Sequence, residues 1–139
     1  TIADGEFSFA RSSYLVPLLY FYQCKIKLET GLLGITGTQN ERLITSTADP
    51  SEGLIYRNTG YWGLYIDTTW VMSQISDPQY FDNCLLEVAV DTQGIWYVYK
   101  NQSLVFSSNQ RSRLLQSCFC VGSTSGQSFP GKIKSITVY

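Results

Sequence analysis

The chain of 139 residues has the size of one ordinary domain, and its hydrophobic fraction of 44% is large enough to form a core without disulfides or a metal. The net charge is −1, from 10 basic and 11 acidic residues, and no basic patch is visible, which argues against electrostatic binding of nucleic acid. There is no His, which removes the commonest general base and the commonest zinc ligand, and no apolar run approaches the length of a membrane span, so no membrane insertion is expected.

Short strand signals follow one another along the chain. Segment 20–29 alternates apolar with mostly polar side chains, as half-buried antiparallel strands do. Segment 84–91 is almost entirely apolar and is predicted to be a central strand, and one short helical turn is predicted within 111–116. The predicted strands are 20–29, 32–36, 41–46, 53–57, 61–67, 69–73, 84–91, 95–100, 104–107, 117–122 and 132–139.

The spacing of these strands predicts the fold class. About ten to twelve short strands, separated by Gly, Asn, Asp, Ser and Pro, favour a sandwich or barrel over a fold of alternating strands and helices. No internal repeat and no linker divides the chain. We therefore predict one all-β domain that covers residues 1–139.

Two segments of the last third resemble the closing half of laminin G-like and other concanavalin A-like lectin/glucanase domains. Segment 86–107 reads LEVAVDTQGIWYVYKNQSLVFS and holds Trp96-Tyr97-Val98-Tyr99-Lys100-Asn101 where the family has a hairpin with Tyr-x-Asn-Gly at its bend. Gln102 stands where that family usually has Gly. Segment 121–139 reads VGSTSGQSFPGKIKSITVY and places Phe129-Pro130-Gly131 before the final strand. The resemblance implies a two-sheet antiparallel jelly-roll sandwich of the concanavalin A-like type.

A second resemblance lies near the start of the sequence. Phe7-Ser8-Phe9-Ala10-Arg11-Ser12-Ser13 looks like the Phe-x-Phe-x-Arg-x-Ser stretch before lectin-like modules in some bacteriophage tail and virion proteins. It implies a protein of the virion surface, and the wider expectation is a virion-surface or extracellular location. The alternative is an edge strand with one solvated arginine.

The four cysteines are Cys24, Cys84, Cys118 and Cys120. Cys118 and Cys120 lie two apart on a predicted strand, with α-carbons about 6.5–7 Å apart, at the edge of bridging distance. Three interpretations stay open: four small buried hydrophobes, one or two disulfides to Cys24 or Cys84, or a zinc site of four thiolates, against which the missing C-x2-C spacing counts.

The carboxylates do not form a catalytic pattern. Glycosidases of this fold use paired carboxylates, whereas Glu87 and Asp91 would be about 13 Å apart along a strand, beyond the roughly 5–10 Å that either stereochemical outcome needs. The stretch Val88–Thr92 is also similar to the metal-binding strand of legume lectins, but Ala89 stands where that family has an acidic residue. We predict no enzyme, no catalytic residues, no cofactor and no metal site, although a calcium ion at Asp91 stays open beside a solvated strand-end carboxylate.

Aromatic residues near a predicted hairpin form the candidate ligand site. Sugars are bound by aromatic faces beside hydrogen-bonding side chains. The candidate ligand-binding residues are Asn58, Tyr61, Trp62, Tyr65, Asp67 and Trp70. Strand alternation places Tyr61 and Tyr65 on one face and Trp62 on the other, so at least one of these faces belongs to the core. The alternatives are that all of them pack inside, or that exposed aromatics form a subunit interface.

These patterns lead to three functional hypotheses. The first is a non-catalytic lectin-like module that binds a cell-surface glycan or receptor as part of a virion or tail fibre. The second is a purely structural virion or assembly protein that contacts other virion proteins or its own copies, for instance in a trimer. The third is an extracellular adhesion domain of the laminin G kind.

Overall fold

The computed structural model describes residues 3–8, 14–15, 25–112, 119–124 and 126–138, and describes side chains within 25–112, 119–124 and 126–137. In these residues it has twelve strands and no helix long and apolar enough to cross a membrane. The strands are β1 (Ala3–Ser8), β2 (Tyr14–Leu15), β3 (Lys25–Thr30), β4 (Glu41–Ser46), β5 (Gly53–Arg57), β6 (Tyr61–Ile66), β7 (Thr69–Met72), β8 (Leu85–Val90), β9 (Ile95–Lys100), β10 (Ser103–Arg111), β11 (Phe119–Val121) and β12 (Lys132–Val138).

The strands form two six-stranded antiparallel sheets. Sheet A has the order β1-β12-β3-β8-β9-β10, and sheet B has the order β2-β11-β4-β5-β6-β7. Each sheet mixes strands from distant parts of the sequence, while β4 to β7 follow one another as a meander. The all-β prediction is therefore confirmed.

The core lies between the two sheets and follows from strand alternation. Ile26 and Leu28 of β3, like Trp62 and Leu64 of β6, point inward and are fully buried. Trp96 of sheet A packs edge-on against Phe119 of sheet B with ring centres 5.8 Å apart, which joins the two layers, and Trp62 packs edge-on against Phe81 of the loop before β8 at 4.8 Å. Each sheet thus contributes one fully buried tryptophan to a continuous core.

Local geometry explains the motif before the last strand. Phe129 is fully buried in the core, and a Cβ on Gly131 would lie 2.2 Å from backbone atoms of Leu32 and Leu33. Only glycine allows this close passage, so the Phe-Pro-Gly sequence fixes where β12 enters sheet A. The turn after β9 has positive φ at both Asn101 (49°) and Gln102 (71°), which is the type I′ pattern, so Gln102 adopts the conformation that glycine would favour.

Three predicted segments differ in the structure. Residues 32–36 form no strand, because the amide of Leu33 donates to the Asp82 carboxylate at 3.1 Å instead of to a neighbouring strand. Segment 104–107 belongs to the longer β10. Arg111 ends that strand and so does not begin a helical turn, while 113–118 lies outside the described residues.

The structure describes only some of the cysteines and only part of the segment 7–13 that carries the second resemblance. Cys84 and Cys120 are both buried, as in the interpretation of the cysteines as small buried hydrophobes, and Cys84 is a free thiol. Cys24 and Cys118 lie outside the described residues, as do residues 9–13.

Candidate functional site

The outer face of sheet B brings together most of the predicted ligand residues. Along β6, Tyr61 and Tyr65 point outward, whereas Trp62 points inward. Tyr61 is 44% exposed, and Trp70, which pairs with Tyr65 across the β6–β7 ladder, is partly exposed. We call Arg57, Tyr61, Tyr65, Trp70 and Met72 the sheet B patch.

Trp62 does not belong to this patch, and its place among the candidate ligand residues is corrected. Its ring is fully buried, stands edge-on to Tyr56 at 5.3 Å, and donates its indole N–H to the carbonyl of Asp77 at 2.9 Å. A ring packed on all sides with its only donor satisfied cannot contact a ligand at the surface. Its role is to fill the core.

A stack of three side chains forms the centre of the patch. The rings of Tyr65 and Trp70 are 4.6 Å apart at 51°, and the guanidinium carbon of Arg57 lies 4.2 Å from the centre of the Trp70 ring. This cation–π contact restricts the indole before any ligand arrives. Arg57 was missed by the sequence analysis, although its register opposite Tyr61 on the other side of the 58–60 turn places it on the same face.

Gly63 leaves room at the middle of the patch. A Cβ at this position would lie 2.8 Å from the sulfur of Met72 and 2.9 Å from the carbonyl oxygen of Val71. Gly63 pairs with Ile55 on one side and Met72 on the other, and Ile55 is fully buried beneath the outer side chains. The missing side chain therefore leaves room for the sulfur and methyl group of Met72, which lie over Gly63.

The two polar candidates stand at opposite ends of β6. Asn58 is exposed in the turn before Tyr61, and its backbone amide donates to the Asn40 carboxamide at 2.9 Å. Asp67 follows β6 in the turn before Trp70, with a φ of 48°, and its amide donates to Glu52 at 2.9 Å.

A buried carboxyl group supports the Asp67 turn. Glu52 is 1% exposed, and its second oxygen accepts from the Ser112 hydroxyl at 2.7 Å, so it links the β6–β7 turn to the end of β10. Burial raises the pKa of Glu52, and its hydrogen bonds oppose this shift without cancelling it. Glu52 therefore holds the Asp67 turn in place through hydrogen bonds that depend on its protonation state.

Asp91 is engaged by its own turn. One carboxylate oxygen accepts from the amides of Gln93 (2.9 Å) and Ile95 (3.0 Å), and the other accepts from the Tyr97 hydroxyl at 3.0 Å. Burial opposes ionisation, but these hydrogen bonds together outweigh it and lower the pKa of Asp91. In the described part of the chain, no three or more Cys, Asp or Glu side chains are grouped so that they could hold a metal ion.

Two concave features lie on the outer face of the other sheet. On the outer face of sheet A, a pocket of about 350 Å³ is lined by Lys27, Glu29, Thr30, Asn83, Cys84, Leu85, Asn101 and Lys134. A second pocket of about 220 Å³ is lined by Lys25, Glu87, Tyr99 and Gln102. The two pockets are neighbours, because Lys27 and Glu87 are paired across β3 and β8. No sequence signal predicted them, since their residues come from four separate segments.

Comparison with known proteins identifies the fold. No protein-family model matches the chain, and no curated protein matches its sequence. Sheep galectin-11, solved with glycerol, is similar in structure at 12% identity and a TM-score of 0.52 over 100% of both chains. The native heptameric SAP-like pentraxin of Limulus polyphemus is similar at 12% identity and a TM-score of 0.55, over 91% of this chain and 67% of that one.

A sialidase domain gives a third similarity. Trypanosoma rangeli sialidase, in complex with 2,3-difluorosialic acid, matches at 12% identity and a TM-score of 0.60 over 99% of this chain. This chain spans only 26% of the length of that sialidase. At such identities the comparisons show the fold, which is a two-sheet antiparallel jelly-roll sandwich of the concanavalin A-like type, as predicted.

Proposed function

We propose that this chain is a non-catalytic glycan-binding module and that its sugar site is the sheet B patch with Asn58 and Asp67 at its two ends. The observation that carries the proposal is the Tyr65–Trp70 ring pair, which is partly exposed on the outer face and in contact with the Arg57 guanidinium. Aromatic rings on a flat sheet face suit the apolar face of a pyranose, which packs against a ring.

The polar groups around the rings would select the sugar. No carboxylate in the described part of the chain forms an ion pair with Arg57, so the N–H groups at the edge of its guanidinium are available to hydroxyls. Asn58 offers an amide and Asp67 a carboxylate at opposite ends of the same surface. Because Tyr and Trp lose few rotamers on binding and Trp70 is already stacked, the entropic cost of binding is small.

The arrangement of carboxylates supports a module without catalysis. Glu87 lies on the outer face of sheet A between Lys27 and Tyr99, whereas Asp91 is bonded within the β8–β9 turn. These two groups do not flank a common cleft, as the acids of a glycosidase must. Sheep galectin-11, which shares the fold, is a lectin by name and was solved in complex with the polyol glycerol.

We infer a biological setting from the sequence resemblance at 7–13. In the first setting the module binds a cell-surface glycan or receptor at the surface of a virion or tail fibre, and self-association would add avidity. An extracellular laminin G-like adhesion domain is the alternative setting.

A purely structural assembly role is a second candidate function. It is favoured by large apolar side chains that are exposed on edge strands, namely Met72 on β7 (36%) and Leu104 on β10 (55%).

A glycan array followed by affinity measurement on the best neutral glycan tests the proposal. We expect Trp70→Ala to weaken binding by about tenfold, because a buried aromatic contact is worth about 1–2 kcal/mol. The matched control is Tyr99→Ala, which removes a partly exposed ring from the outer face of sheet A and should change the affinity less than twofold. Retained affinity in Trp70→Ala would refute the assignment of the site, and stable oligomers that bind no glycan would favour the structural role.

A further inference from the structure

The lysines of this protein are confined to one sheet. All five belong to strands of sheet A, namely Lys25, Lys27, Lys100, Lys132 and Lys134. The described basic residues of sheet B are the arginines Arg42 and Arg57. The outer face of sheet A therefore combines ammonium groups with the two pockets described above.

The larger pocket combines these lysines with amide groups. Lys134 approaches from β12 and Lys27 from β3, while Asn83 and Asn101 stand on the opposite side, where β8 begins and β9 ends. Lys134 sits in a β-bulge, where the register shifts between Ile133 and Ser135. Bulges are frequent where a strand must direct a side chain to a site.

The donors of this pocket are available to a ligand. Neither Lys27 nor Lys134 forms an ion pair with a residue that the structure describes. The side-chain oxygen of Asn101 accepts from the amide of Leu85 at 3.0 Å, so that the NH₂ group of Asn101 remains to donate into the pocket. The orientation of this amide is thus fixed before a ligand binds.

The balance of charges limits the class of ligand. Two lysines and one carboxylate, Glu29, line the pocket, so the formal charge of its lining is +1. A dense polyanion would be repelled by Glu29. A ligand with one negative group and several hydroxyls can pair its charge with the lysines and form hydrogen bonds with the amides and with Glu29. The volume of about 350 Å³ lies in the range of small-molecule sites, roughly 300–1,000 Å³.

We propose that this pocket binds a sugar acid. The ligand carboxylate lies between the ammonium groups of Lys27 and Lys134, the Asn101 amide donates to a ring or hydroxyl oxygen, and Glu29 accepts from a hydroxyl. Leu85 provides the apolar surface beneath the sugar ring. This site is separate from the sheet B patch and does not rest on the proposed function of that patch.

Titration calorimetry with the whole chain tests this site. The probes are hyaluronan tetrasaccharide and sialyllactose, which carry carboxylates and no sulfate, with carboxyl-reduced hyaluronan tetrasaccharide and lactose as their neutral counterparts. We expect one acidic probe or both to bind at least about tenfold more tightly than the neutral counterpart, because a charge-assisted hydrogen bond contributes roughly one factor of ten or more. The affinity should fall as salt rises.

Three variants locate the binding. Lys27→Met and Lys134→Met should each weaken it about tenfold, and Asn101→Asp should weaken it similarly while keeping an oxygen for the Leu85 amide. The matched control is Lys132→Met, an exposed lysine of the same strand that lines neither pocket. Trp70→Ala should leave this affinity unchanged, so that failure of this site and failure of the sheet B site can be told apart.

Four outcomes would overturn the proposal. They are equal binding of acidic and neutral probes, binding of neither acidic probe, an equal loss in Lys132→Met, and a loss in Trp70→Ala with no loss in Lys27→Met. Circular-dichroism melting of each variant checks that it is folded. Unchanged affinity in Lys27→Met, Lys134→Met or Asn101→Asp, with an unchanged melting curve, also counts against the site.

Discussion

The two sheets are alike on their inner faces and different on their outer faces. Inside, both present alternating apolar side chains and one fully buried tryptophan, Trp62 in sheet B and Trp96 in sheet A. Outside, sheet B carries aromatic rings and an arginine, whereas sheet A carries lysines, amides and two pockets. Packing constrains the inward positions of the strands, and the exposed side chains of the two outer faces are where the sheets differ.

The largest expected effect separates the inner from the outer face of sheet B. Trp62→Ala removes a fully buried ring and should lower the free energy of unfolding by about 3–5 kcal/mol. Trp70→Ala removes a partly exposed ring and should cost less than about 1 kcal/mol. Urea unfolding monitored by circular dichroism measures both, and similar losses for the two variants would show that the faces are assigned wrongly.

Gly63→Ala tests how the outer face of sheet B is packed. The added Cβ would press on the Met72 sulfur at 2.8 Å and on a backbone oxygen at 2.9 Å, so we expect a loss of about 1–3 kcal/mol in the free energy of unfolding. The double variant Gly63→Ala/Met72→Ala relieves the first contact and should recover part of the loss. An unchanged stability in the single variant would contradict the packing described for the patch.

Asp91→Asn probes the turn at the end of sheet A. The hydrogen bonds lower the pKa of Asp91 from its ordinary value of 3.8, so the stability it contributes is present above that value and is lost as the pH falls through the lowered pKa. We expect the variant to be about 1 kcal/mol less stable than the wild type at pH 7, with the difference disappearing in acid. A difference that does not change with pH would contradict the role of the charge.

Glu52→Gln should show the opposite pH dependence in sheet B. Burial raises the pKa of Glu52 above its ordinary value of 4.5, so its contribution to stability is fully present below that value and is lost as the pH rises through the raised pKa. The wild type should therefore gain stability relative to Glu52→Gln as the pH falls from 7 to 4. Chemical unfolding of both proteins at several pH values measures this small change. A loss of wild-type stability relative to Glu52→Gln on acidification would refute the prediction.

The sequence predicts those strands whose bounds follow from the local pattern of strand-forming residues and turn sequences. The bounds of β4, β5 and β9 were predicted without error, because each is a run of strand-forming residues that ends at a turn sequence. The last strand departs from strict alternation, since the bulge places both Ile133 and Ile136 in the core. A bulge depends on the neighbouring strand and has no reliable local signal.

The candidate site was predictable only where residues lie close in sequence. Tyr61, Tyr65 and Trp70 come from adjacent strands of one meander, and alternation already separated Trp62 from the two tyrosines. The Arg57–Trp70 stack joins two strands that β6 separates, and the sheet A pocket joins β3, β8, β12 and a turn. Such contacts depend on strand order, which composition and spacing do not reveal.

The most direct test of the sugar site uses the indole N–H signals of the three tryptophans in a ¹H–¹⁵N NMR titration with a neutral glycan. Trp70 lies on the outer face of sheet B, whereas Trp62 and Trp96 are fully buried. We predict that the Trp70 signal shifts, together with the backbone amides of Arg57 and Tyr65, while the signals of Trp62 and Trp96 stay in place. Shifts confined to sheet A, with the Trp70 signal unmoved at saturation, would contradict the proposal.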